Sequence, residues 1–122
     1  MPTHAIVVDV TFGDKEIYPG EMTFSLSKGP SIAVGPVLNK EMAEDIMIVA
    51  KQNKIPYAIE VAARGTGTNA DKISLVKTGI KTALISPPIK NMHSRVEMLD
   101  LADIHYVSEL IFKYIEFLNK EN

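Results

Sequence analysis

Residues 5–12, AIVVDVTF, are a run of apolar and β-branched side chains interrupted once, by Asp9. The run lacks the period-two alternation that would give one face to water, so it predicts a strand buried mostly on both faces. Similar short runs follow: SIAVG at 31–35, YAIEVA at 57–62 and TALIS at 82–86. Segments of helical period lie between and after them. Asn39 predicts the cap of a helix reaching about Asn53, with Met42, Ala43, Ile46, Met47, Val49 and Ala50 on its apolar side. Thr68 or Asn69 predicts the cap of a second helix ending at Gly79. Asp100 predicts the cap of a third, whose Ile104, Val107, Ile111, Tyr114, Ile115 and Leu118 keep three- and four-residue spacing. Residues 13–29 read as an irregular excursion between turn residues. Strands alternating with helices across short loops predict one α/β domain over 1–122, with a mostly parallel sheet under helices.

Composition narrows the function classes. A formal net charge of −2, with lysines scattered rather than clustered, argues against a nucleic-acid binder. No cysteine is present, which excludes thiolate metal sites and disulfide scaffolding. No apolar run approaches the roughly 20 residues that span a bilayer, and no basic-then-apolar leader is visible, so a cytoplasmic chain is expected.

Three places could carry chemistry. A carboxylate inside a buried β-branched run is costly unless a cation or hydrogen-bond donors satisfy it, so Asp9 is either a ligand or a paired structural group. His93 follows Pro87-Pro88 just past the fourth strand, so it and Asp9 fall near the C-terminal ends of strands, where open parallel sheets bind ligands. A carboxylate and an imidazole there suit zinc, cobalt or manganese, but two ligands fall short of the usual three. His4 at the terminus and His105 on the polar side of the last helix are poor third candidates. The third place is RGTGTNA at 64–70, which has the G-x-G-x-x-A spacing between a strand and a helix. A dinucleotide site would need an acidic residue after the next strand; Ser86-Pro87-Pro88 stands there instead. A tight turn feeding a helix N-terminus that holds part of a substrate fits as well.

Taken in order, AIVVDVTFGD, KGPSIAVGP, NKIPYAIEVAARGTGTNADKI and TALISPPIKNMHSRVEMLDLADI resemble the C-terminal part of the tetrahedral, dinuclear-metal aminopeptidases. That family of glutamyl, leucyl and deblocking aminopeptidases also carries the names cellulase and endoglucanase M. The resemblance runs over nearly all 122 residues. It implies a three-layer α/β/α phosphorylase/hydrolase-like fold, truncated on its N-terminal side, and two divalent metal ions, zinc or cobalt. It implies that Asp9 binds one metal and His93 the other, and that Thr66, Gly67, Thr68 and Asn69 lie beside the peptide substrate. Asn69 stands where aspartate is typical, and Lys90-Asn91 where Arg-Tyr is common. The resemblance further implies that a histidine, a bridging aspartate and a Glu-Glu pair, including the general base, come from upstream segments absent here. No catalytic residue is therefore expected in this chain, which should be inactive alone. Glycosidase chemistry needs two carboxyls flanking the bond, and no convincing pair stands at the strand ends. The alternative is a non-catalytic binding module, or a remnant that keeps the fold. A first strand this apolar should not be left as an edge, which predicts either a complementing upstream polypeptide or self-association into a two-fold dimer, with 13–29 reaching across.

Overall fold

The computed structural model describes residues 2–13, 23–62, 79–92 and 94–121. Among these residues six strands and two helices follow in order: β1 His4–Val8, β2 Thr11–Phe12, β3 Ser31–Val34, α1 Lys40–Gln52, β4 Ala58–Val61, β5 Lys81–Ser86, β6 Pro88–Ile89 and α2 Leu101–Glu121. The helix expected from Thr68 or Asn69 to Gly79 lies outside the described residues apart from its last position.

Four strands form one sheet in the order β1-β5-β3-β4, and β2 pairs with β6 in a ribbon of its own. The β1–β5 and β3–β4 pairings are parallel, while β3 meets β5 antiparallel through Ser31↔Ser86 and Ile32↔Ile85. The expected mostly parallel sheet is thus present, with a reversed seam at its centre.

Asn39 begins α1 as predicted, its side-chain oxygen accepting the Met42 amide at 2.8 Å. Met42, Ala43, Ile46, Val49 and Ala50 are then buried against Ile32, Ala83 and Ile85. Gly29 makes the approach to β3 possible. Its φ is +84°, and a Cβ there would sit 1.9 Å from the Pro56 carbonyl oxygen. Across the sheet, Ala33, Leu38 and Leu84 form a smaller buried cluster with Val7 packed on it.

Two expectations are corrected. β1 is an edge strand, and its residues are half-buried or exposed rather than enclosed on both faces. The final helix buries Asp103, Val107, Leu110 and Tyr114, whereas Ile104 and Ile115, expected in the core, are 43% and 49% exposed. The buried stripe is rotated because α1 packs on α2 from one side, and among the described residues nothing covers Ile104 and Ile115 on the other.

Candidate metal and substrate site

The 5–12 run is two strands with Asp9-Val10 at the break. The ladder continues through the break: Asp9, Thr11 and Gly13 donate their amides to the carbonyls of Ile85, Pro87 and Ile89 at 3.3, 3.1 and 2.8 Å. Pro88 has no amide to give, but this register asks only the carbonyls on either side of it to accept. The ribbon therefore passes through both prolines and holds the C-terminal end of β1 beside that of β5.

Asp9 sits at that end, half-buried rather than enclosed, because it follows β1 at an edge. One carboxylate oxygen, Oδ1, accepts the adjacent Val10 amide at 2.8 Å. The other has no hydrogen-bond partner among the described residues. The burial penalty that the sequence suggests for Asp9 is thus relieved by position and by its own backbone, and one oxygen remains available.

Beyond β6 the chain closes a loop. Lys90 and Met98 exchange both backbone hydrogen bonds, at 2.7 and 3.1 Å, and within it the Ser94 amide donates to Asn91, whose φ is +58°. His93 falls in this loop by number but lies outside the described residues. So do Thr66, Gly67, Thr68 and Asn69. The strand leading to them runs opposite to β1, so the chain leaves Ala62, its amide on Val34, at the end of the sheet away from Asp9. Ala62 lies roughly 13 Å from the level of Asp9 along the strand direction and three inter-strand spacings of about 4.8 Å to its side, so about 20 Å separates them. The structure does not by itself join the three places.

His4 and His105 lie apart from Asp9, as expected. His4 opens β1, its Nδ1 2.8 Å from the Thr3 hydroxyl; His105 is exposed on α2, its Nε2 3.7 Å from Glu109. Among the described residues no group of three His, Cys, Asp or Glu side chains could hold a metal ion. Asp9 alone does not make a metal centre, and no catalytic step through a metal follows from it.

Around this edge lies a hydrogen-bonded frame of which sequence reasoning foresaw only the Asp100 cap. Asp103, fully buried in the first turn of α2, accepts the Ser27 and Gly29 amides at 2.9 Å each. Asp100 caps α2 by accepting the Ala102 amide at 2.8 Å and also accepts the Ser27 hydroxyl. That hydroxyl first, and the Ala102 amide second, hold the Asp100 carboxyl below the usual carboxylate range. Ser31 shares its hydroxyl between Glu60 at 2.7 Å and the Ser86 carbonyl at 3.3 Å. The two aspartates tie the start of α2 to the turn that feeds β3. The only signal for Asp103 in the sequence is an acidic residue in a first helical turn, which commonly means no more than a favourable helix dipole.

The sequence profile of the M42 glutamyl aminopeptidase family matches residues 1–110. A lysyl aminopeptidase of Pyrococcus furiosus is 36% identical over 117 residues, covering 96% of this chain and 34% of the relative. The structure of an aminopeptidase from the archaeon Desulfurococcus kamchatkensis aligns with a TM-score of 0.81 at 32% identity, covering 94% of this chain and 34% of that one. A Pyrococcus horikoshii peptidase able to form a tetrahedron or a large octahedral shell aligns at 0.68 and 27% identity, covering 93% of this chain and 33% of that one. The chain thus spans about a third of the length of the relatives it matches.

Proposed function

Because the chain belongs to the M42 glutamyl aminopeptidase family, we propose that it is the C-terminal catalytic segment of a metal-dependent aminopeptidase, which removes N-terminal residues from peptides. Asp9 is assigned as one metal ligand and His93 as another, with zinc or cobalt as the metals. Thr66 to Asn69 are assigned to the substrate. The observation that carries this reading is Asp9 itself: a carboxylate at the sheet edge, braced by Val10, whose other oxygen has no hydrogen-bond partner among the described residues. The remaining ligands and the general base are assigned to polypeptide corresponding to the other two-thirds of the relatives, because the described residues contain no ligand cluster. Assembly into a homo-oligomer is assigned on the likeness to the shell-forming peptidase, and a cytoplasmic location goes with this function. Among the described residues, no helix is long and apolar enough to cross a membrane.

A single-chain chimera tests the catalytic reading without depending on how separate pieces associate. This chain replaces the matching third of the P. furiosus lysyl aminopeptidase, and release of N-terminal residues is measured with zinc or cobalt. The chimera should be active, and Asp9→Ala or His93→Ala should lower kcat/KM at least about a hundredfold while circular dichroism stays unchanged. A folded but inactive chimera, or one indifferent to both substitutions, would sink the assignment. The isolated chain should release nothing. In that isolated form a non-catalytic module is the competing reading, favoured because no ligand cluster stands among the described residues; tight stoichiometric zinc binding to the lone chain would contradict the ligand count on which both readings rest.

A further inference from the structure

Strand pairing fixes which side chains share a face of the sheet at its Asp9 end. Ser86 stands level with Ser31, and Ser31 with Ala58. Val8 stands level with Ile85, and the Asp9 amide continues that ladder onto Ile85, so Asp9 is level with Ser86. Ile6 packs with the α1 core, whereas Val7 packs with Ala33 and Leu84 on the other side of the sheet. Glu60 is paired with Ala33. Period-two alternation from Val7, Ala33 and Leu84 therefore puts Asp9, Ser86, Ser31 and Glu60 on that second side, in the strand order β1-β5-β3-β4.

Three members of this row keep bonding capacity among the described residues. Asp9 uses only Oδ1, on Val10. Glu60 is half-buried and accepts the Ser31 hydroxyl at 2.7 Å through Oε1; its Oε2 has no hydrogen bond or ion pair there. Ser86 is 2% exposed, and its carbonyl, not its hydroxyl, is what Ser31 reaches. No sealed side-chain oxygen among these residues goes unpaired, so the Ser86 hydroxyl touches solvent, on the strand next to Asp9 and on the Glu60 side of it. The row thus has a carboxylate at each end and an unused hydroxyl between them.

We propose that Glu60 is a specificity-determining residue, which accepts the side-chain cation of a peptide whose N-terminal residue is basic and whose α-amino group lies at Asp9. This rests on the catalytic reading above, which puts the N-terminal residue of the substrate at Asp9. Distance selects the ligand. Glu60 leans back from β4 to Ser31 on β3, so its carboxylate lies between two and three strand spacings from Asp9, on the order of 12 Å away. The two amino groups of an extended lysine residue are about 7 Å apart. A charge-assisted bond of about 2.8 Å at each end brings the span to roughly 12–13 Å. An acidic N-terminal side chain would meet Glu60 with like charge, and a leucine side chain is too short to reach it. The Ser86 hydroxyl, between the two carboxylates, is placed to bond the substrate backbone.

The test compares lysine with norleucine, which keeps the carbon chain and lacks the terminal ammonium. In the chimera with the P. furiosus enzyme, kcat/KM for a lysyl peptide should exceed that for the norleucyl peptide at least about tenfold. Glu60→Gln removes the charge but keeps an acceptor for Ser31, and should bring the ratio to about one, chiefly by raising KM for the lysyl peptide. Glu44→Gln, which removes an exposed carboxylate from α1, should leave the ratio as it was. Thermal unfolding monitors the fold of each variant. A ratio near one in an active chimera, or a ratio untouched by Glu60→Gln, would overturn the proposal. An inactive chimera counts against the catalytic reading alone, and titration of this chain, followed by the amide resonances of Ser86 and Glu60, then decides. A response to lysinamide that norleucinamide does not give and Glu60→Gln abolishes upholds the proposal; equal responses to the two amides, or none, overturn it.

Discussion

The two flanks of the helical layer carry similar side chains and meet different fates. On the α1 side, Ile32, Ile46 and Ile85 are each 0% exposed, and the helix, the sheet and the second helix close on one another. On the α2 side, Ile104 and Ile115 are 43% and 49% exposed and Val8 is 50% exposed. Apolar periodicity states which side chains seek cover. Whether they find it depends on whether the covering surface belongs to the same stretch of chain.

The contrast predicts effects that shrink from the closed flank to the open one. Ile46→Ala, which leaves a cavity between α1 and the sheet, should cost about 2–5 kcal/mol by denaturant unfolding; a loss below about 1 kcal/mol would mean the closed flank is loosely packed. Asp103→Ala strands the Ser27 and Gly29 amides in a buried setting and should cost about 2–4 kcal/mol. Its partner loop should lose amide protection, and an effect confined to α2 would break the proposed tie between the helix and that turn.

Tyr114 supplies a pH test of the same closed seam. Burial above all, then Asp45 and Glu41, pushes its phenol from 10.0 up to about 12. The folded chain therefore keeps a proton that the unfolded chain sheds. Stability from this group is complete below pH 10 and is lost as pH rises toward 12, by about 1–2 kcal/mol over that window. Tyr114→Phe should flatten the decline, measured as the shift of the denaturant midpoint with pH. On the open flank, Ile115→Ser should change stability by no more than about 0.5 kcal/mol in the isolated chain. A loss of core size would show that the flank is already covered.

What could be read from sequence follows local chemistry. Asn39 and Asp100 cap their helices through bonds to residues two or three positions away, so those starts were legible. Asp9 at a strand end was legible from its run, though not its half-exposed setting, because an edge and a centre strand differ only in neighbours. Pro87-Pro88 reads as a break, yet pairing continues across it: the Pro87 carbonyl accepts the Thr11 amide and β6 begins at Pro88. The reversal of β3 and β4 left no mark in the strands themselves. The role of Asp103 was hidden because its donors, Ser27 and Gly29, are remote in sequence.

The pairing of His4 with Lys81 also sets an order of events. Among the described strands β1 comes earliest in sequence, yet it cannot bond to β5 until the intervening chain has been made, and closing so long a loop carries an entropic cost that local contacts avoid. The α1 unit, with β3 and β4 on either side of it, can assemble meanwhile. β1 then joins late, held among the described residues by a single neighbouring strand. It should detach before its partner does, so its amides should exchange with solvent ahead of those in β5, in a partial opening that leaves the α1 core intact. The strand that leads to Asp9 is thus an edge of this sheet that should open before its central strands.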